Sequence, residues 1–197
     1  TTKGPLAIGI QVHGLVPNKQ MLTRSNAKVG DVIVVTGTLG DAGAALPLLA
    51  CDISGAKNLS EAELYFIERY YAPSPRIEQG LQLRPLASAC IDISDGLLAD
   101  AEHIAAKSAV QLEIDVASLP LSKALLTEYK AKANQFALSS GDDYELLCTI
   151  SSENWEILSQ NNTSNIYTKI GQVKQGEGVT LKGLAGTIEH KGYQHFE

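Results

Sequence analysis

Short, nearly continuous apolar runs alternate with stretches of helical period along most of the chain. Asp31 to Thr36 reads Asp-Val-Ile-Val-Val-Thr, which suits a strand covered on both faces. Leu6 to Val16 has the β-branched and small residues of another strand, closed by the turn signal Val16-Pro17-Asn18-Lys19. Ala89-Cys-Ile-Asp-Ile93, Val110 to Val116 and Tyr144 to Ile150 read as further strands, and more follow Ile166. Helix-like segments lie between them. Ala44 to Leu49 is the first. Ser60-Glu-Ala-Glu63 has the form of a capping box and opens a helix to about Tyr71, with Leu64, Ile67 and Tyr71 spaced along one face. Ser74-Pro75-Arg76 opens another, with serine at the cap and proline in the first turn. Leu97 to Ala109 places Leu97, Leu98, Ala101, Ile104 and Ala105 on one face. Helices around 121–131 and 153–160 complete the pattern, which predicts an α/β or α+β fold with a mixed sheet covered by helices.

Composition narrows this picture. At 197 residues, about 150 per domain gives one large domain or two small ones, and no linker long enough to separate two is visible. Apolar residues make up 44% and charged residues 19%, the balance of a compact chain rather than a disordered or fibrous one. The 16 Lys and Arg against 22 Asp and Glu leave a net charge of −6, with no basic run, which argues against nucleic acid or an anionic membrane as partner. The most apolar stretch, Ala42 to Ala50, is interrupted by Pro47 and falls well short of the ~18 residues of a membrane span. Three scattered cysteines, Cys51, Cys90 and Cys148, fit a reducing cytoplasm, and no Cys/His set has zinc spacing.

Two polar segments stand out. Ile91-Asp-Ile-Ser-Asp-Gly96 joins a buried strand to an amphipathic helix, where open α/β sheets place ligands. Asp92 and Asp95 repel one another, and a hard cation such as Mg²⁺ is the ordinary way to hold both ionised. Ser94 and the helix start beside them suit a phosphate oxygen. The plainer alternative is that Asp95 caps the helix; it leaves Asp92, which interrupts an apolar strand, without a reason. A haloacid-dehalogenase reading fails because serine stands where D-x-D needs its second aspartate. The other segment is Ser139-Ser-Gly-Asp-Asp-Tyr-Glu145 before a strand, either a ligand-binding turn or a solvated one. Gly37-Thr-Leu-Gly-Asp-Ala-Gly43 lacks both dinucleotide and P-loop spacing, so tight packing is the better reason for its glycines. Arg24 lies in a polar connection, where position alone does not separate a phosphate contact from a solvated side chain. Trp155 and the pair Tyr70-Tyr71 read as core.

Seven motifs in order resemble the thiamine-monophosphate kinase family: Thr1-Thr-Lys-Gly-Pro5, Leu22-Thr-Arg-Ser25, Thr36-Gly-Thr-Leu-Gly-Asp41, Pro73-Ser-Pro-Arg76, Ile91-Asp-Ile-Ser-Asp-Gly-Leu97, Ser140-Gly-Asp-Asp-Tyr-Glu145 and Lys191-Gly-Tyr-Gln-His-Phe196. The resemblance implies the C-terminal domain of such a kinase, with an N-terminal half ahead of Thr1, and the fold of the aminoimidazole ribonucleotide synthetase superfamily. It implies transfer of the ATP γ-phosphoryl group to thiamine monophosphate, with Mg²⁺ as cofactor. By motif it places Asp92 and Asp95 as Mg²⁺ ligands, Ser94 and Arg24 on ATP, and Asp142 and Tyr193 on thiamine monophosphate. Two departures accompany it: Asp142 stands where the family has glutamate, and further metal ligands and a dimer-forming domain belong to the other half, so this chain alone is expected to be nearly inactive and the intact protein a homodimer. Another ATP-using member of the superfamily, such as selenophosphate or aminoimidazole ribonucleotide synthetase, and a non-catalytic nucleotide-binding module are the competing readings.

Overall fold

The computed structural model describes residues 8–50, 59–162 and 165–183. Six strands form one sheet: β1 (Val32–Thr36), β2 (Ala87–Asp92), β3 (Gln111–Asp115), β4 (Leu146–Ile150), β5 (Tyr167–Lys174) and β6 (Gly178–Lys182). Their order is β2-β4-β1-β5-β3-β6, antiparallel throughout except for the parallel pair β3 and β6. The expected mixed sheet is therefore present.

The apolar run of β1 is explained by its central position. Ile33 and Val35 join one buried cluster, while Val32 and Val34 join another on the opposite face. Each such side chain contributes about 1.5–3 kcal/mol on leaving water. Helix α4 (Leu97–Ser108) covers the first face with Leu97, Leu98, Ala101, Ile104 and Ala105, the five residues its period picked out. Helices α3 (Ile77–Leu83) and α7 (Ser152–Gln160) cover the second with Leu83, Leu158 and a partly buried Trp155. A third cluster, centred on Phe66 and Leu125, unites α2 (Glu61–Tyr71), α5 (Lys123–Tyr129) and α6 (Ala133–Ser139). A short helix α1 (Leu46–Ala50) follows a 3₁₀ turn at Gly43–Ala45.

Several local expectations hold at atomic detail. The capping box on α2 is complete, with Ser60 N–H donating to Glu63 at 2.7 Å and Glu63 N–H donating to Ser60 Oγ at 3.2 Å. The turn after Val16 closes with Gln20 N–H on the Pro17 carbonyl.

Others are corrected. Within the described residues, 8–16 form no strand, and Ile8, Ile10, Val12 and Leu15 are all exposed. A strand needs a ladder neighbour, and the outer edge of β2 is instead met at Cys90 by the Thr23 carbonyl. The fully buried residue of α2 is Phe66; Ile67 and Tyr70 are partly buried and pack against its cluster, while Leu64 and Tyr71 face solvent at 54% and 67% exposure, so Ile67 alone of the predicted face and Tyr70 alone of the tyrosine pair reach the core. Helix α3 begins at Ile77 rather than at Ser74, and its N-cap Arg76, whose guanidinium has no acceptor to offer a backbone N–H, makes no cap bond and instead donates to Glu145. Helix α6, with the polar start Ala-Asn-Gln, has too little apolar period to announce itself.

Candidate functional site

The two polar segments singled out in the sequence lie side by side. Beyond the last pair of the β2–β4 ladder, Asp92 opposite Leu146, the chains stay hydrogen-bonded. Ile93 N–H donates to the Glu145 carbonyl at 2.8 Å, Tyr144 N–H to Ile93 at 2.9 Å and Asp142 N–H to Ser94 at 3.0 Å. Glycine permits this approach: a Cβ on Gly141 would lie 2.1 Å from the Ser94 carbonyl oxygen, and Gly96, at φ 114°, faces the backbone of Ser139. Asp92, Ser94, Asp95 and Asp142 thus share one rim of the sheet, where an exposed Asp92 ends edge strand β2.

Asp95 does not cap α4. The N-cap is Gly96, with no side-chain bond, and the acid that organises the turn is Asp100, which accepts from Ser94 N–H at 3.0 Å and Asp95 N–H at 3.1 Å. Burial pushes the Asp100 carboxyl up, the two backbone donors oppose this, and the charges of Asp95 and Asp92 add to the rise. Asp95, Asp100 and His103 bring ligand atoms within 4.8 Å of one another.

From Asp142 to Glu145 the side chains alternate outward and inward. Asp143 and Glu145 are buried; Asp142 is partly exposed and Tyr144 exposed. Both outward residues have left-handed backbone, φ 66° and 51°. Asp143 accepts from Gly40 N–H at 2.7 Å and Ala42 N–H at 3.4 Å, so its carboxylate fills the amide nest of the glycine-rich loop. That loop serves packing, as expected: a Cβ on Gly40 would meet the Ala137 backbone at 2.6 Å, and one on Gly43 the Ser140 side chain at 2.1 Å. Burial drives Asp143 up to about 7, against the two backbone donors; Asp41 adds to the rise and Arg69 lowers it.

Glu145 has no exposed side-chain surface and sits between two arginines. Arg76 grips it through Nε and Nη2, each at 2.6 Å, Arg69 Nη2 donates at 3.1 Å and Thr36 Oγ1 at 2.6 Å. The hydrogen bond to Glu145 holds the Arg76 guanidinium above its ordinary value. A Cβ on Gly37 would collide with this carboxylate at 2.2 Å. Asp41 is a further buried acid, accepting from Thr38, Tyr65 and Ser122.

Of the residues predicted for a site, Arg24 is exposed and runs along the outer edge of β2, one residue past the Thr23 contact to Cys90. Tyr193 lies outside the described residues. Sequence reasoning missed the anchors Asp100, Asp143 and Glu145 and the partner Arg69. A signal existed for two of them, since Asp-Asp-Tyr-Glu entering a strand carries a period of two that separates inward from outward acids.

The family model described as AIR synthase related protein, C-terminal domain, matches residues 28–183. The chain belongs to that family. Among curated proteins it is 42% identical over 204 residues to the thiamine-monophosphate kinase of Escherichia coli K12, covering 100% of this chain and 62% of that one. It therefore spans about three fifths of the length of that relative. Among solved structures, thiamine-monophosphate kinase from Stenotrophomonas maltophilia K279a is 41% identical with a TM-score of 0.77, over 87% of this chain and 56% of that one. A structure described as AaThiL complexed with AMPPCP and TMP is 39% identical, also with a TM-score of 0.77, over 89% of this chain and 54% of that one.

Proposed function

We propose that the chain is the C-terminal domain of a thiamine-monophosphate kinase, which transfers the γ-phosphoryl group of ATP to thiamine monophosphate with an N-terminal domain completing the site and the dimer. The observation that carries this is the joining of Asp92–Asp95 to Asp142 by backbone hydrogen bonds, in a chain 39% identical to a protein solved with AMPPCP and TMP. Phosphoryl transfer asks chiefly for positioning and charge neutralisation, so oxygen ligands on a fixed rim are the right equipment.

In this reading Asp92 and Asp95 hold Mg²⁺, and Ser94 and Arg24 contact ATP. Asp142 contacts thiamine monophosphate, and Tyr193 serves the same substrate. The donors on the rim are carboxylate and hydroxyl oxygens, the set a hard divalent cation takes. Bound there, Mg²⁺ neutralises charge on the phosphates during transfer. The protein's own part is rigidity. Asp100 fixes the Ser94–Asp95 turn through two backbone bonds, and Asp143 and Glu145 fix the loop that presents Asp142.

The test is release of nucleotide product, ADP or AMP, by the full-length protein, with thiamine monophosphate, selenide and formylglycinamidine ribonucleotide as alternative co-substrates. Release with thiamine monophosphate alone supports the assignment. Release only with either of the others hands it to another branch of the superfamily, and nucleotide binding without release makes the chain a binding module.

A further inference from the structure

Tyr144 is the bulkiest exposed group on the 142–145 loop, and its conformation asks for a reason. Its φ of 51° is one that glycine or asparagine adopts easily and an aromatic residue resists. Packing does not supply the reason, because the side chain is 41% exposed. What its position secures is a relation to the rim: the hydroxyl donates to Asp142 Oδ1 at 3.1 Å. Partial burial pushes the ionisation of the phenol up, and the hydrogen bond to Asp142 and the charges of Asp142 and Asp92 add to the rise, so the hydroxyl keeps its proton and remains a donor.

The backbone beneath the ring is fixed on both sides. Tyr144 N–H is bonded to Ile93, Asp143 before it is seated in the Gly40–Ala42 amides, and Glu145 after it is gripped by Arg76. The ring is thus presented by a loop that has little freedom to retract. An aromatic face beside Asp142 and Asp92 combines two attractions of the same sign. Its quadrupole and the carboxylates both favour a positively charged partner, and a flat one covers most ring surface.

We propose that Tyr144 is a substrate-binding residue whose ring forms one wall for a planar, cationic heteroaromatic group while its hydroxyl fixes the Asp142 carboxylate against the same group. This deepens the kinase reading above and rests on it, the thiazolium ring of thiamine monophosphate being the cation.

The experiment compares Tyr144→Gly and Tyr144→Phe with the wild type in the full-length protein, reading kcat, KM for each substrate and thermal stability. Glycine relieves the left-handed backbone and removes both contacts. Its melting temperature should equal or exceed the wild type, while KM for thiamine monophosphate rises about tenfold and KM for ATP stays within about twofold. Phenylalanine keeps the ring and loses the hydroxyl, and should raise KM for thiamine monophosphate only about threefold. A KM for thiamine monophosphate unchanged in both variants, or a KM for ATP that rises in step with it, overturns the assignment of Tyr144 while leaving the kinase reading in place. A wild type that turns over no thiamine monophosphate overturns the kinase reading itself, and this inference with it.

Discussion

Replacing Arg76 with leucine isolates the clamp under the Asp142 loop. The wild-type side chain makes two charge-assisted bonds of 2.6 Å to Glu145, with 17% of the arginine and none of the glutamate side chain exposed, so little water is available to take over. Breaking a buried ion pair from one side costs about 3–5 kcal/mol, most of it the penalty of the stranded charge. Arg69 at 3.1 Å and Thr36 at 2.6 Å remain to hold the carboxylate, which places the expectation at the lower end, about 3 kcal/mol. For 197 residues this corresponds to a fall of about 6–12 °C in melting temperature. The informative assay is a double-mutant cycle with Glu145→Gln, followed by urea unfolding. In the Arg76→Leu background only Arg69 and Thr36 still hold Glu145, so removing its charge there should cost about 2 kcal/mol less than it does in the wild type, and that difference is the coupling. A loss under about 1 kcal/mol for Arg76→Leu, or strict additivity in the cycle, would refute the claim that this pair anchors the loop.

Three further outcomes follow from the same geometry. Gly141→Ala, whose Cβ would sit 2.1 Å from the Ser94 carbonyl, should destabilise the protein by about 2 kcal/mol and sharply reduce kinase activity by prising the two acidic segments apart; a variant with wild-type unfolding and turnover contradicts this. Asp143 stands at about 7 folded against 3.8 for the ordinary group, so the folded state binds the extra proton. Its contribution is full below about 4 and is lost as pH rises to about 7, at up to about 1.4 kcal/mol per pH unit. Asp143→Asn should flatten that part of the stability profile, and parallel wild-type and variant curves from chemical denaturation would count against it. Asp92→Asn, at an exposed rim position, should lower kcat of the full-length protein about a hundredfold or more while leaving the melting temperature within about 2 °C, as circular dichroism and the ADP assay would show; retained activity makes Asp92 structural.

What the sequence determined by itself is what short-range chemistry can write. The period of two or of 3.6, a capping box and a turn signal each act within a few residues, and so β1, β2, α4 and the capped start of α2 are legible from the residues alone. The same local reading put Asp92, Ser94 and Asp95 at a strand-to-helix junction. It also gave Leu6 to Val16 a strand's pattern, but a strand is a relation between two segments, and among the described residues no neighbour takes up 8–16.

Only the tertiary structure decided which local features meet. Glu145 finds Arg76 across 69 positions and Thr36 across 109, and Asp143 finds Gly40 across 103. No periodicity over a dozen residues encodes such separations. The clearest case is Asp142-Asp-Tyr-Glu145: four neighbouring polar residues became two anchors and two outward groups only once β4 paired with β2 and fixed which side of the loop faces the interior. Burial there makes the unpaired charge costly, and so the fold selects partners for Asp143 and Glu145 while leaving Asp142 and Tyr144 at the surface.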